Sequence, residues 1–329
     1  MSTRQKTILV VLFTVFFCLS TIASSAVAQA VRAGYAAKTI FFLPFFVAQK
    51  MRYYDAEGLK VELIHMGSAA VSLQALVAGQ IHFSGQNPDG IIIFNEKGGN
   101  LKTIGGLVNG VAYTLVGGKA YKRIEDIKGA RLGVASLKGG GTTFLLEYLR
   151  TKGLVYPRDY TLAVISGGTP ARLAALEAGS IAAAVLGIPH GDIAIDRGFN
   201  NLGNVGEAIP AYQFTAITAN PAWAEKNGAG VVKFLKAHIR SIRWIYDNLE
   251  AAAEFATKEV GVTATYARRG IDYFVKTKLY PRDGSITIEG IKVNLEVLAK
   301  DGLLNPPLPS PEKYVDLSYL KQAQKELGM

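Results

Sequence analysis

ALVAGQIHFSGQ occupies residues 75–86, and ALEAGSIAAAVLG occupies residues 175–187. The frame Ala-Leu-x-Ala-Gly-x-Ile is written twice, each time running on into small or apolar residues. Each copy reads as a helix end, a glycine and a buried strand. In the first, Val71, Gln74, Ala75 and Ala78 fall at helical spacing. Gly79 suits the left-handed position that commonly ends a helix. In the second, Arg172, Ala175, Leu176 and Gly179 share one helix face, and residues 181–186 continue as a strand. A helix feeding a strand this tightly is half of a βαβ unit. Its repetition predicts two similar α/β lobes.

The chain has 329 residues and 49% hydrophobic content, enough for one large domain or two medium ones. Residues 1–30 belong to neither. Arg4 and Lys6 precede an apolar run over 8–19, and Ala-x-Ala sites end at Ala28 and Ala30. That three-part pattern predicts a cleaved secretory signal peptide. The apolar run is shorter than the ~20 residues a membrane helix needs. Cys18, the only cysteine, lies inside it, and Phe16 and Phe17 before it do not suit a lipoprotein site. A cysteine-free mature protein is expected, without disulfides or thiolate chemistry. The net charge of +10 falls to +8 without Arg4 and Lys6 (34 basic minus 26 acidic residues). The basic residues are scattered, which argues against nucleic acid and is compatible with an anionic ligand.

Strand–loop–helix units alternate through the first two-thirds of the chain, which predicts mainly parallel sheets flanked by helices. Ligands in such sheets bind beyond the carboxyl ends of the strands. The residues at those ends include Lys38, Thr39, Phe41, Phe42, Ser68, Gln86, Asn87, Gly168, Thr169, Gly187 and His190. Phe41 and Phe42 either stack a flat ligand or pack inward as core. Gln86 and Asn87 offer neutral amides. The sharpest local feature is SLKGGGTTF, residues 136–144. Glycines between a strand and a helix present backbone N–H groups to an anion, aided by the helix dipole. Ser136, Gly140, Thr142 and Thr143 are its candidate contacts, although the loop also reads as an ordinary strand-to-helix turn.

The order of segments resembles a known family. FFLPFFVAQKMRYYDAEGLKVEL (41–63), ALVAGQIHFSG (75–85), IEDIKGARLGVAS (124–136), GGTPARLAALEAGSIAAAVL (167–186) and NPAWAEKNGAGVVKFLKA (220–237) look like the solute-binding proteins of sulfonate, taurine, nitrate and thiamine-pyrimidine-type ABC importers. The resemblance implies a two-lobed periplasmic binding protein of type II with a two-strand hinge. Lobe one would hold residues 31–116 and 215–329, and lobe two residues 117–214. It also implies a periplasmic location and a membrane permease as partner, with one small molecule held in the cleft. That family usually has Asp where His82 and Ala182 stand here. The position lies at a strand's start, so a local hydrogen bond rather than a ligand contact is expected to change.

Catalytic signals are sparse. His65, His82, His190 and His238 show no metal-ligand spacing, and no G-x-S-x-G elbow occurs. Related thiamine-pyrimidine synthases carry a cysteine-rich motif that is absent here. The expectation is therefore a monomeric binding protein for a small anion, with no catalytic residue, metal or cofactor. The alternatives are a periplasmic enzyme or a sensory ligand-binding subunit on the same fold.

Overall fold

The computed structural model describes residues 29–137, 141–165 and 167–329. Residues 1–28 of the expected signal peptide, and Gly140, lie outside them. In chain order the strands are β1 (Gln29–Tyr35), β2 (Leu59–His65), β3 (Phe83–Gln86), β4 (Lys102–Asn109), β5 (Tyr113–Gly117), β6 (Arg131–Val134), β7 (Thr161–Val164), β8 (Ala183–Gly187), β9 (Asn200–Asn204) and β10 (Gln213–Ala219). They form two sheets, ordered β2-β1-β3-β10-β4 and β7-β6-β8-β5-β9. Helices flank both, giving a two-lobed α/β fold.

The sheets are mixed rather than mainly parallel. β1 runs parallel to β2 and β3, and β6 runs parallel to β7 and β8. β10 is antiparallel to β3 and β4, and β5 is antiparallel to β8 and β9. Parallel pairing needs a crossover connection, usually a helix. β5 follows β4 after three residues, and β10 follows β9 through a single 3₁₀ turn, Val205–Ala208. Neither arrives by a crossover helix. β5 also moves one expected boundary: residues 113–117 pair with the second sheet, not the first.

The repeated frame occupies the same slot in both sheets. Helix Ala69–Val77 leads into β3 and helix Gly168–Glu177 into β8, and each strand is third in its sheet. Gly79 and Gly179 have φ of +70° and +69°, the left-handed region that spares glycine a Cβ clash. The N–H groups after them bond alike, Gln80 to the Ala75 carbonyl at 2.9 Å and Ser180 to the Ala175 carbonyl at 3.1 Å. Both strands begin two residues later than expected. Ile81 and Ile181 instead plug the space over a glycine of the neighbouring strand. A Cβ on Gly34 would lie 2.6 Å from the Ile81 side chain, and one on Gly133 would lie 2.4 Å from that of Ile181.

The chain passes between the sheets twice, through residues 110–112 and 205–212. The two passages touch. A Cβ on Gly206 would stand 2.5 Å from the Val111 carbonyl oxygen. Side chains also bridge the lobes. Asp196, from helix His190–Asp196, pairs with Arg269 at 2.6 Å and accepts a bond from Tyr266 at 3.1 Å. Thr143 donates to Asp301 at 2.9 Å, and Lys300 stands 3.5 Å from Glu147. Over the first sheet, Phe234 of helix Gly228–Asp247 stacks on Phe83 with ring centroids 4.0 Å apart. No helix among the described residues is long and apolar enough to cross a membrane.

Candidate functional site

A cavity of about 560 Å³ opens between the lobes. From the first sheet's side come Lys38, Thr39 and Phe41, in the turn after β1, with His65 and Gly67 at the end of β2. From the second come Gly168 and Thr169, after β7, and Gly187 and His190, at the end of β8. All follow strand ends, where a parallel arrangement leaves room for a ligand. None of the described lining residues is a carboxylate.

Each side chain is set by its local fold. Thr39 precedes the 3₁₀ turn Ile40–Phe42 in extended backbone, but makes no capping bond. Its Oγ1 is buried without a partner among the described residues. Phe41 lines the cavity and also packs behind it, with Phe214 at 5.0 Å and Phe274 at 5.3 Å. This aromatic is thus core and cavity wall at once. Gly187 permits the approach of two rings; a Cβ there would lie 3.1 Å from Tyr113 and 3.4 Å from Phe41. His190 begins its helix after Pro189. Burial first, then the charges of Arg172 and Arg197, hold its imidazole below the usual histidine range, so it is neutral at pH 7.

Arg172 does not itself line the cavity but bonds to Thr169, which does, and it was not named as a contact from sequence. It is 5% exposed. Its Nε donates to the Val185 carbonyl at 3.0 Å, and its Nη2 donates to Thr169 Oγ1 at 3.1 Å. Nη1 is buried and has no partner among the described residues. Burial lowers its pKa, opposed among the described residues by Tyr113 and by no carboxylate. The signal was present: a cation shares the buried helix face with Ala175 and Leu176. It also stands near a helix N-terminus, which the macrodipole disfavours for positive charge.

Other expected contacts lie elsewhere. Phe42 is core, 6.2 Å from the Tyr35 ring. Ser68 caps the helix Ala69–Val77 by accepting from the Val71 N–H. Gln86 is buried at the end of β3 with its Nε2 unpartnered. Asn87 is engaged at both ends, accepting from the Asp89 N–H at 2.7 Å and donating to Tyr212 Oη at 3.0 Å. Thr142, in the first turn of helix Gly141–Thr151, donates from Oγ1 to the Ser136 carbonyl at 2.5 Å. Thr143 is bonded to a carboxylate, Asp301, brought in by the helix Ile288–Lys300. None of these described residues lines the cavity.

His82 shows what replaced the aspartate expected at its position. Its Nδ1 lies 3.1 Å from the Arg32 N–H and accepts from it, and its ring stacks on Trp223 at 4.8 Å. The acceptor is kept, away from the cavity. Among the described residues, no group of three His, Cys, Asp or Glu can hold a metal ion.

Comparison with known families matches residues 40–252 to the NMT1/THI5 like family. The chain belongs to that family. A comparison with curated proteins gives no match. Solved structures place the NMT1/THI5 like chain on the periplasmic binding protein fold. The alkanesulfonate-binding protein SsuA of Xanthomonas axonopodis pv. citri, bound to MOPS, superposes with TM-score 0.69 at 19% identity, covering 87% of this chain and 98% of that one. The ligand-binding component of an ABC-type import system from Staphylococcus aureus, with zinc bound, gives 0.74 at 16% identity, covering 90% and 99%. The desulfurization enzyme DSZB gives 0.69 at 13% identity, covering 91% and 99%. At such identities the likeness is one of fold, shared by binding proteins and an enzyme.

Proposed function

We propose that this chain is an extracytoplasmic solute-binding protein that captures a small anion between its lobes and delivers it to the permease of an ABC importer. The observation that carries this reading is the cavity lined from both sheets, with Lys38 on its wall and no carboxylate in its described lining. A ligand held from both sides favours the closed arrangement by its differential contacts. The paired passages 110–112 and 205–212 serve as the hinge. Residues 1–28, ending at the first Ala-x-Ala site, direct export and are removed, and the mature chain acts as a monomer. The lining offers binding groups, and in this reading the ligand leaves unchanged.

Small-angle scattering tests the reading. Solutes that raise thermal stability are added one at a time, and a smaller radius of gyration is expected with a genuine ligand. A tight ligand that leaves the shape unchanged removes the closing cleft. A ligand recovered chemically altered after incubation moves the protein to the enzymes.

A further inference from the structure

We infer that Arg172 is the seat of the ligand's negative group: the ligand is the missing counter-ion of a buried arginine, and it docks on the second lobe. This rests on the cleft reading above and adds a specific anchor to it. A guanidinium stays charged in a protein. A buried charge without a partner is costly, and native proteins pair such groups or bind ions with them. Arg172 has 5% exposure and an Nη1 without a partner among the described residues.

Its surroundings point the same way. The helix Gly168–Glu177 opens on the cavity with Gly168 and Thr169. Arg172 is tied to Thr169 by Nη2 and to the Val185 carbonyl by Nε, so two donors fix its plane while the third is free. His190, which lines the cavity, is near enough for Arg172 to depress its pKa. The helix dipole adds positive potential at this end. On the first lobe's side of the cavity, Thr39 Oγ1 is another buried hydroxyl without a partner among the described residues, and Phe41 supplies an apolar wall. The ligand class is an oxyanion, carboxylate or sulfonate, on an apolar body. The fixed arginine takes the acid group first, and Thr39 and Phe41 meet the rest as the lobes close.

The test uses the full mature chain, with acetate, methanesulfonate, benzoate and benzenesulfonate as probes and benzamide as the neutral control. Thermal stability of the wild type should rise with at least one oxyanion and not with benzamide. Arg172→Met should weaken that oxyanion about tenfold or more, the scale of a lost charged hydrogen bond. Without probe, Arg172→Met should melt no lower than the wild type, because the change removes an uncompensated charge. Thr142→Ala should keep the oxyanion affinity. If Arg172→Met does not fold, Arg172→Gln, which keeps a donor without the charge, is read in the same way. No oxyanion response in the wild type, an equal response to benzamide, or an unchanged affinity in the variant overturns the assignment. Compaction by another solute that survives Arg172→Met leaves the cleft reading standing without this seat. An oxyanion response lost in the variant, without compaction in the wild type, leaves the seat standing and removes the closing cleft.

Discussion

Tyr212 Oη donates a 2.5 Å hydrogen bond to Asp89 Oδ2, fastening the second passage between the sheets to the helix that follows β3. Asn294 donates to the other carboxylate oxygen at 2.8 Å, and Asn87 donates to the tyrosine oxygen at 3.0 Å. The carboxyl group is fully enclosed. Burial pushes its pKa up to about 6, against the lowering effect of the two hydrogen bonds, and Asp301 raises it further.

This raised pKa fixes a pH dependence. Between about pH 4 and pH 6 the folded protein keeps the Asp89 proton that the unfolded chain loses. Its contribution to stability is therefore full below about pH 4 and falls as pH rises to about 6, by at most about 3 kcal/mol. Denaturant unfolding of the wild type and Asp89→Asn across this range measures it. The difference between the two should shift toward the variant as pH rises; parallel curves exclude the effect.

Tyr212→Phe removes one donor from the enclosed carboxyl group and should destabilise by about 1–3 kcal/mol. The ring also packs edge-on against Phe144 at 4.7 Å, and phenylalanine keeps that contact. A loss beyond about 4 kcal/mol in denaturant unfolding would mean that more than the hydrogen bond had failed.

Gly206→Ala should strain the point where the two passages touch. The added methyl would meet the Val111 carbonyl oxygen at 2.5 Å, and the chain must move apart to accept it. The expected cost is about 1–3 kcal/mol, with a larger radius of gyration in the ligand-free protein. A wild-type melting temperature would show that the passages separate freely.

His82→Ala removes an acceptor for the Arg32 N–H and a stack on Trp223. We expect a loss of about 1–2 kcal/mol with no change in response to any oxyanion. His82→Asp should recover part of the loss by restoring an acceptor. Equal stability of the alanine and aspartate variants would assign the whole effect to the ring.

Local pattern made much of this molecule legible. Gly79 and Gly179 ended their helices as the repeat predicts, because the left-handed turn is a property of a few adjacent residues. The strands after them began two residues late, because Ile81 and Ile181 are drawn to glycines about fifty positions earlier. The switch of β5 to the second sheet had no linker composition to mark it, only the three residues 110–112. The contact of Thr143 with Asp301 was hidden because the two are distant in sequence. Arg172 was legible in principle as a charge on an apolar face. What the sequence did not reveal was that no carboxylate would come to meet it.

The strand order also dictates when each half of the molecule can be finished. β10 fills the gap between β3 and β4, so the first sheet stays incomplete until residue 219 has been synthesised. By then all five strands of the second sheet already exist, as one continuous stretch ending at Asn204. The lobe that the chain begins is thus the lobe it completes last. A nascent chain stopped before residue 213 would carry a whole second sheet beside four strands awaiting their partner, with facing edges of β3 and β4 unpaired and open to wrong pairing.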